Sequence, residues 1–348
     1  MIDDINSYTF DFEKEAGDLH RRLGTKGDNI LFIEAEITQS GNDSEPSQVR
    51  TRRIVGSEEL KRVNSAGASK FVTSHYHESP KDSSRAFTLR ESAEGAILGH
   101  IVSIRKNEPY TKTFGKEKES LMRLWVLYHE TGHALVPDGP EDDVHPFREC
   151  AADAYAALCF FQRFGQEAGD LLSMISWGRS FETVISDPGH LTTPVLDKFI
   201  ADSAAYQNFL KLSPAETMTR AETYAKDWTP EASTLIAARP FFTQAGHINL
   251  SQLAETCLTS ANDFAFYIGS KLFQPFLHPD GVVLDGQIIK IPDDQRQKFT
   301  AAIETRAAGM DLCDIFGPAA ERSKKEPPLA EALKVSRPKG QKPFTVNI

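Results

Sequence analysis

Short apolar runs alternate with polar stretches in the first third of the chain. They occupy residues 30–33, 71–73, 86–89 and 96–102, and turn-forming residues such as Gly, Ser and Asn lie around them. Runs of this length predict β-strands. The polar stretch 38–47 predicts a loop between two of them. We therefore expect a small, mostly β region between residues 29 and 106.

A helical pattern replaces these short runs further along the chain. Large apolar residues recur at helical spacing between residues 121 and 136, and the sequence Pro-Asp-Gly-Pro at 137–140 ends the pattern. A second helix is expected from about Pro146 to Phe164. Most of the segment 171–309 is also helical in pattern, with Pro and Gly breaks at 187–189, 213–214 and 275–281.

These patterns predict an α+β protein in three parts. Residues 1–136 form a β-rich N-terminal region that ends in a helix, residues 137–321 form a helical lobe, and residues 322–348 form a loosely ordered tail. We expect the functional site in the cleft between the first two parts. The tail is basic and is expected to be solvated rather than to bind a partner or direct export, although it carries Lys334, Arg337, Lys339 and Lys342.

Composition and charge narrow the classes of function. The 348 residues include 39 Lys and Arg against 49 Asp and Glu, and the net charge of −10 disfavours nucleic acid binding. The sequence lacks both a membrane-spanning apolar stretch and a secretory signal, so we expect a soluble, cytoplasmic protein without a membrane partner. Export by a specialised route would leave no recognisable signal. The spacing of the four cysteines predicts reduced thiols rather than disulfides.

The predicted helix before residue 136 contains a motif with known chemistry. Residues 129–133 read His-Glu-Thr-Gly-His, which matches the pattern H-E-x-x-H. Because His129 and His133 lie four residues apart, a helix presents both rings on one face, where they can bind one zinc ion. Glu130 would be the general base toward water rather than a ligand. We favour this over an exposed charged turn, because unpartnered polar groups on a half-buried helix are costly.

A third zinc ligand can come from the second helix. Glu149 lies sixteen residues after His133, and Asp153 lies four residues further on. This spacing places both carboxylates on one helix face, so Glu149 can reach the metal while Asp153 accepts a hydrogen bond from a ligand histidine. The connection before Glu149 contains rival ligands, which leaves the third ligand open among Glu149 and Asp138, Asp142, Asp143 and His145.

Residues 129–153, with H-E-x-G-H followed by E-x-A-A-D, resemble the gluzincin group of zinc metallopeptidases. The resemblance implies a zincin-like fold, with Glu149 as the third ligand and Asp153 as the support of a ligand histidine. The alanine-rich second helix is similar to that of intracellular peptidases of the ImmA/IrrE type. The metzincin pattern is absent, because Val136 and Gly139 occupy its Gly and ligand positions.

Peptide hydrolysis also needs a donor to the oxyanion. His190 is the candidate that we prefer, because it follows the break at 187–189, where a side chain can point into a cleft. Tyr155 is the weaker alternative, since its helix position faces away from Glu149 and Asp153.

Two further features are expected in the β region. A strand among residues 86–104 could bind substrate as an additional strand at a sheet edge. His75 and His77 are expected on one face of a strand, and without a third ligand nearby they predict a surface pair.

The sequence therefore predicts a zinc metallopeptidase that acts on a protein or peptide substrate, with Glu130 as its base. The alternative is a non-catalytic zincin-like protein with a regulatory or binding role. The intact Glu130 argues against that alternative, because a scaffold without activity has no need for a base at this position.

Overall fold

The fold was determined from a computed structural model of the chain. The structure describes residues 2–38, 48–78, 84–90, 97–106, 118–136, 146–185, 190–231, 259–277 and 287–307, together with 234, 279, 282–284, 309–310 and 345–346.

The described residues form a mixed α+β structure. Its helices are α1 (Phe12–Leu23), α2 (Glu58–Glu78), α3 (Glu119–Leu135), α4 (Phe147–Phe164), α5 (Ala168–Ile185), α6 (Thr193–Ala201), α7 (Pro214–Trp228), α8 (Asp263–Phe273) and α9 (Asp293–Ala307). Its strands are β1 (Ile30–Thr38), β2 (Gln48–Val55), β3 (Arg85–Arg90), β4 (Ile97–Arg105), β5 (Val282–Leu284), β6 (Gln287–Ile289) and β7 (Thr345–Val346).

The first four strands form a sheet in the order β2-β1-β4-β3. β1 pairs with β2 antiparallel and with β4 parallel, and β3 pairs with β4 antiparallel. β1 is buried on both faces. Leu31 and Ile33 pack toward α2, whereas Ile30 and Phe32 join the main core with α1 and α3. The apolar run that predicted this strand is therefore continuous because helices cover both faces of the sheet.

The strand predicted at residues 71–73 is wrong, because these residues lie within α2. Ala68, Val72 and Tyr76 are buried at four-residue spacing and pack on the sheet, which is the period of a helix face. The three-residue run was too short to distinguish this period from that of a strand. His75 and His77 also lie on α2, so their predicted placement on one strand face is wrong too.

The remaining strand predictions agree with β1, β3 and β4. β2 was not predicted, because charged residues interrupt its apolar positions. Of the predicted loop 38–47, Thr38 ends β1 and residues 39–47 lie outside the described residues. The predicted loose tail also lies largely outside them, although Thr345–Val346 pair with β5 in a parallel arrangement.

The main hydrophobic core contains residues from both sides of residue 136, where the sequence predicted the N-terminal region to end. It includes Phe12 of α1, Leu124 of α3, Phe160 of α4, Leu196 of α6 and Ile303 of α9. α4 lies at its centre and packs on both α3 and α7. No helix within the described part of the chain combines the length and apolar character needed to cross a membrane.

A buried polar group fixes α5 and α6 against α8. Asp197 of α6 is fully buried, and it accepts hydrogen bonds at 2.6 Å from the hydroxyls of Ser176 and Tyr267. Lys271 of α8 contacts the same carboxylate. A buried charge with this many partners is costly to disturb, so the three helices keep a fixed arrangement.

α3 and α4 approach each other very closely where Gly132 faces Ala152. A Cβ atom at position 132 would lie 2.7 Å from the Cα of Ala152 and 3.3 Å from its Cβ. Backbone atoms cannot move aside as a flexible side chain can. Glycine at 132 and a small residue at 152 are therefore required for the two helices to bring their polar faces together.

Gly132→Ala should destabilise the protein by about 1–3 kcal/mol, since overpacking outweighs the better helix propensity of alanine. Gly67→Ala is the matched control, because a Cβ at this helical glycine would meet nothing within 4 Å. The control should be neutral or stabilising by up to about 1 kcal/mol. Urea unfolding of both variants measures the difference, and equal stability of the two would contradict the packing argument.

Candidate metal centre

His129 and His133 lie one turn apart on α3, as their spacing predicts. His129 is 7% exposed, and the Nε2 atoms of the two rings are 3.1 Å apart. Other residues of the same helix, such as Leu124 and Trp125, are buried in the core. The two ring nitrogens therefore converge on one point at the edge of the core.

Glu149 reaches this point from the first turn of α4. Its Oε1 atom lies 3.3 Å from Nε2 of His133, and its Oε2 atom lies 3.3 Å from Nε2 of His129. The ligand atoms of the three residues all lie within 4.8 Å of one another. A helix N-terminus also favours a negative charge at this position. The structure thus brings together the two histidines and the glutamate that the sequence singled out.

The chemistry of this group fits a metal ion. The Oε2 atom of Glu149 is buried, and no residue that the structure describes meets it in hydrogen-bond geometry, since Nε2 of His129 lies 3.3 Å away outside that geometry. Burial of a carboxylate oxygen is costly, and a cation among the three ligand atoms would bind this oxygen directly and offset that cost. Two imidazoles and a carboxylate are also a common ligand set of zinc.

Asp153 supports His129 from the second turn of α4. Its Oδ1 atom lies 2.6 Å from Nδ1 of His129, and the aspartate is fully buried. In the neutral imidazole, the form that can bind a metal, a hydrogen on Nδ1 leaves Nε2 with its lone pair directed at the cluster. The hydrogen bond that the spacing of Asp153 predicted is therefore present.

Two partners of Asp153 were not predicted from the sequence. Arg179 of α5 donates to both carboxylate oxygens, from Nε at 2.9 Å and from Nη2 at 3.0 Å. Thr192 donates from Oγ1 to Oδ2 at 2.5 Å. Arg179 is the single basic residue of α5, which is a signal that could have marked it. Thr192 carries no comparable signal in the sequence.

The charges of the cluster alter the titration of its members. Burial alone would lower the pKa of His129, but the carboxylates of Asp153 and Glu149 outweigh burial and raise it to about 10. Burial lowers the pKa of His133, and Glu149 offsets this only in part. Burial would raise the pKa of Glu149, yet the two histidines hold it well below its ordinary value. At neutral pH His129 of the metal-free cluster is therefore an imidazolium cation, with a hydrogen on both ring nitrogens.

His190 lies beside the cluster but outside its ligand group. Its Nε2 atom is 3.8 Å from Oε2 of Glu149, and its side chain is 41% exposed. Tyr155 instead lies in the core, 2% exposed and close to Cys159, where burial raises the pKa of its hydroxyl. Tyr155 is therefore buried among core residues rather than partly exposed beside Glu149 as His190 is.

The remaining predicted site residues have different positions. Glu130 is 7% exposed on α3. His75 packs against Phe87 and Tyr76, and His77 is exposed. Within the described ranges, His129, His133 and Glu149 are the one group with the geometry of a metal site. The rival ligands lie outside those ranges, and they are Asp138, Asp142, Asp143 and His145.

Comparisons of the chain with protein-family models, with curated proteins and with solved structures found no match.

Metal-free protein should bind one zinc ion and release about one proton at pH 7.5, because His129 must lose a proton to become a ligand. Calorimetry in buffers of different ionisation enthalpy measures the number of protons. Glu149→Ala should lose most of the binding. Glu59→Ala, at an exposed acidic residue in the first turn of α2, is the control and should bind normally. Equal zinc binding by both variants would remove Glu149 from the ligand set.

Proposed function

We propose that the chain is a zinc-dependent metallopeptidase with a zincin-like, gluzincin-type site. His129, His133 and Glu149 would hold the metal. The observation that carries the proposal is the convergence of their ligand atoms within 4.8 Å around a buried carboxylate oxygen that lacks a described hydrogen-bond donor. Three protein ligands leave a fourth position open, which is typical of catalytic rather than structural zinc.

The proposed reaction is hydrolysis of a peptide bond. When bound, zinc would supply Lewis acidity toward the substrate carbonyl. Glu130 accepts a proton from the water molecule that attacks the carbonyl carbon. The same carboxyl group then gives that proton to the amine nitrogen as the C–N bond breaks. Its place directly after His129 supports this role, because the next residue of a helix is rotated by about 100° and so lies beside the ligand face.

His190 is proposed as the donor to the oxyanion of the tetrahedral intermediate. Its ring nitrogen lies near Glu149 without belonging to the ligand group, and its partial exposure allows contact with a substrate. A donor in this position would stabilise charge that develops only in the transition state.

The substrate is proposed to be a protein or peptide in extended form. β3 is at one end of the strand order and contacts α3, the helix that carries both histidines. A substrate segment could pair with the backbone of β3 as an additional strand. We also propose a cytoplasmic location, where the free thiols of Cys150 and Cys159 would stay reduced.

Glu130→Gln should abolish peptide hydrolysis and leave zinc affinity and melting temperature nearly intact, because the side chain acts on water and does not bind the metal. Cleavage of a peptide library by the zinc-loaded protein, read by mass spectrometry, provides the assay. Glu119→Gln makes the same change on the first turn of α3 and should retain activity. Cleavage by Glu130→Gln at the native rate would exclude Glu130 as the base. A zinc-loaded native protein without any cleavage would favour the non-catalytic alternative.

His190→Ala should lower kcat by roughly 10²- to 10³-fold with little change in KM, which is the signature of lost transition-state stabilisation. Zinc content and melting temperature should stay the same, because the ring is outside the ligand group and 41% exposed. His77→Ala, at an exposed histidine of α2, is the control. A native kcat in His190→Ala would end the proposed role.

A further inference from the structure

The carboxylate of Asp153 is a junction between four segments of the chain. It belongs to α4, and it contacts His129 of α3, Arg179 of α5 and Thr192, which precedes α6. The aspartate is fully buried, so no water competes for these contacts. The position of this single group therefore depends on all four segments.

Arg179 and Thr192 together prevent rotation of the carboxylate. Oδ1 faces His129 and the Nη2 atom of Arg179, whereas Oδ2 faces the Nε atom of Arg179 and the hydroxyl of Thr192. The planar guanidinium group holds both oxygens at once, which fixes the plane of the carboxylate. Oδ1 consequently stays directed at Nδ1 of His129.

Thr192 also attaches the segment that carries His190 to the centre. Leu191 is fully buried, and its carbonyl oxygen lies 3.8 Å from the Sγ atom of Cys150. The backbone N–H of Thr192 donates to the carbonyl of His190 at 2.9 Å. Thr193 is held separately, since its hydroxyl lies 3.0 Å from that of Ser180 on α5. The hydroxyl of Thr192 is thus the link between this segment and Asp153.

We propose that Arg179 and Thr192 are positioning residues of the metal centre, which act through Asp153 to orient His129 and to tie the His190 segment to the site. The inference builds on the proposed function in that it requires a metal at His129, His133 and Glu149. It does not require that the metal catalyses hydrolysis.

A merely structural role makes a different prediction. Residues that only stabilise the fold would change the melting temperature without changing the zinc affinity of the folded protein. Positioning residues that act through Asp153 would change zinc affinity, and their effect would disappear when Asp153 no longer acts as a charged acceptor.

Thr192→Val removes the hydroxyl and keeps the shape of the side chain. It should weaken zinc binding by roughly 10- to 100-fold, as expected for loss of a partner behind a ligand histidine. Thr192→Ser restores the hydroxyl and should bind zinc within about twofold of the native protein. Thr193→Val makes the same change at the adjacent buried threonine, and it should lower the melting temperature without altering zinc affinity.

Zinc affinity is measured by competition with a chromophoric chelator, and the visible spectrum of the cobalt form reports the ligand geometry. In the Asp153→Asn background, Thr192→Val should add no further loss of affinity. Arg179→Lys keeps the positive charge but loses the planar guanidinium group that donates to both oxygens of Asp153. This variant should also weaken zinc binding about tenfold. If Thr192→Val does not fold, Arg179→Lys decides the question by the same two measurements.

The inference would be overturned if folded Thr192→Val had native zinc affinity and a native cobalt spectrum. If Thr192→Val does not fold, the same result for Arg179→Lys would overturn it. An undiminished effect of Thr192→Val in the Asp153→Asn background would also overturn it. Failure of the native protein to bind zinc would overturn this inference together with the proposed function. Zinc binding with the predicted pattern but without peptide cleavage would overturn only the proposed function.

Discussion

The contact between Gly132 and Ala152 is the constraint on which the candidate site depends. A ligand group drawn from two helices needs the helix backbones close enough for short side chains to meet. The absence of a Cβ at position 132 allows this approach, since that atom would lie 2.7 Å from the backbone of Ala152. Glu149 lies about one turn before Ala152 on α4, and Asp153 is the next residue after Ala152. Both carboxylates therefore reach His129 from the same helix.

This close packing buries the Asp153 side chain and the Oε2 atom of Glu149, and each buried group then needs a partner within the protein. Asp153 has three such partners, because His129, Arg179 and Thr192 all direct donors at it. The Oε2 atom of Glu149 accepts no hydrogen bond within the described ranges. Because burial of an unmatched carboxylate oxygen is costly, this difference between two neighbouring carboxylates indicates where a cation would be most stabilising.

Local periodicity explains which features were predictable from the sequence. The pairs His129 with His133 and Glu149 with Asp153 are each four residues apart, and helix geometry alone places each pair on one face. Arg179 and Thr192 reach Asp153 through the packing of α5 and the segment before α6, which no local pattern encodes. The error at α2 has a related cause, because its buried residues show helical spacing only over several turns.

The solvent exposure of the side chains increases steadily across the candidate metal centre, from Asp153 to His190. The side chains at the two ends can therefore have different roles. The side chain of Asp153 is fully buried and that of His129 is 9% exposed, whereas those of Glu149 and His190 reach 24% and 41%. At the buried end, Asp153 has fixed protein partners and cannot meet a substrate, so its contribution is to orient His129. Groups at the exposed end could exchange protein contacts for contacts with a substrate of the proposed peptidase. A substrate of the proposed peptidase would therefore approach from the His190 side, where Thr192, two residues further on, contacts the buried Asp153.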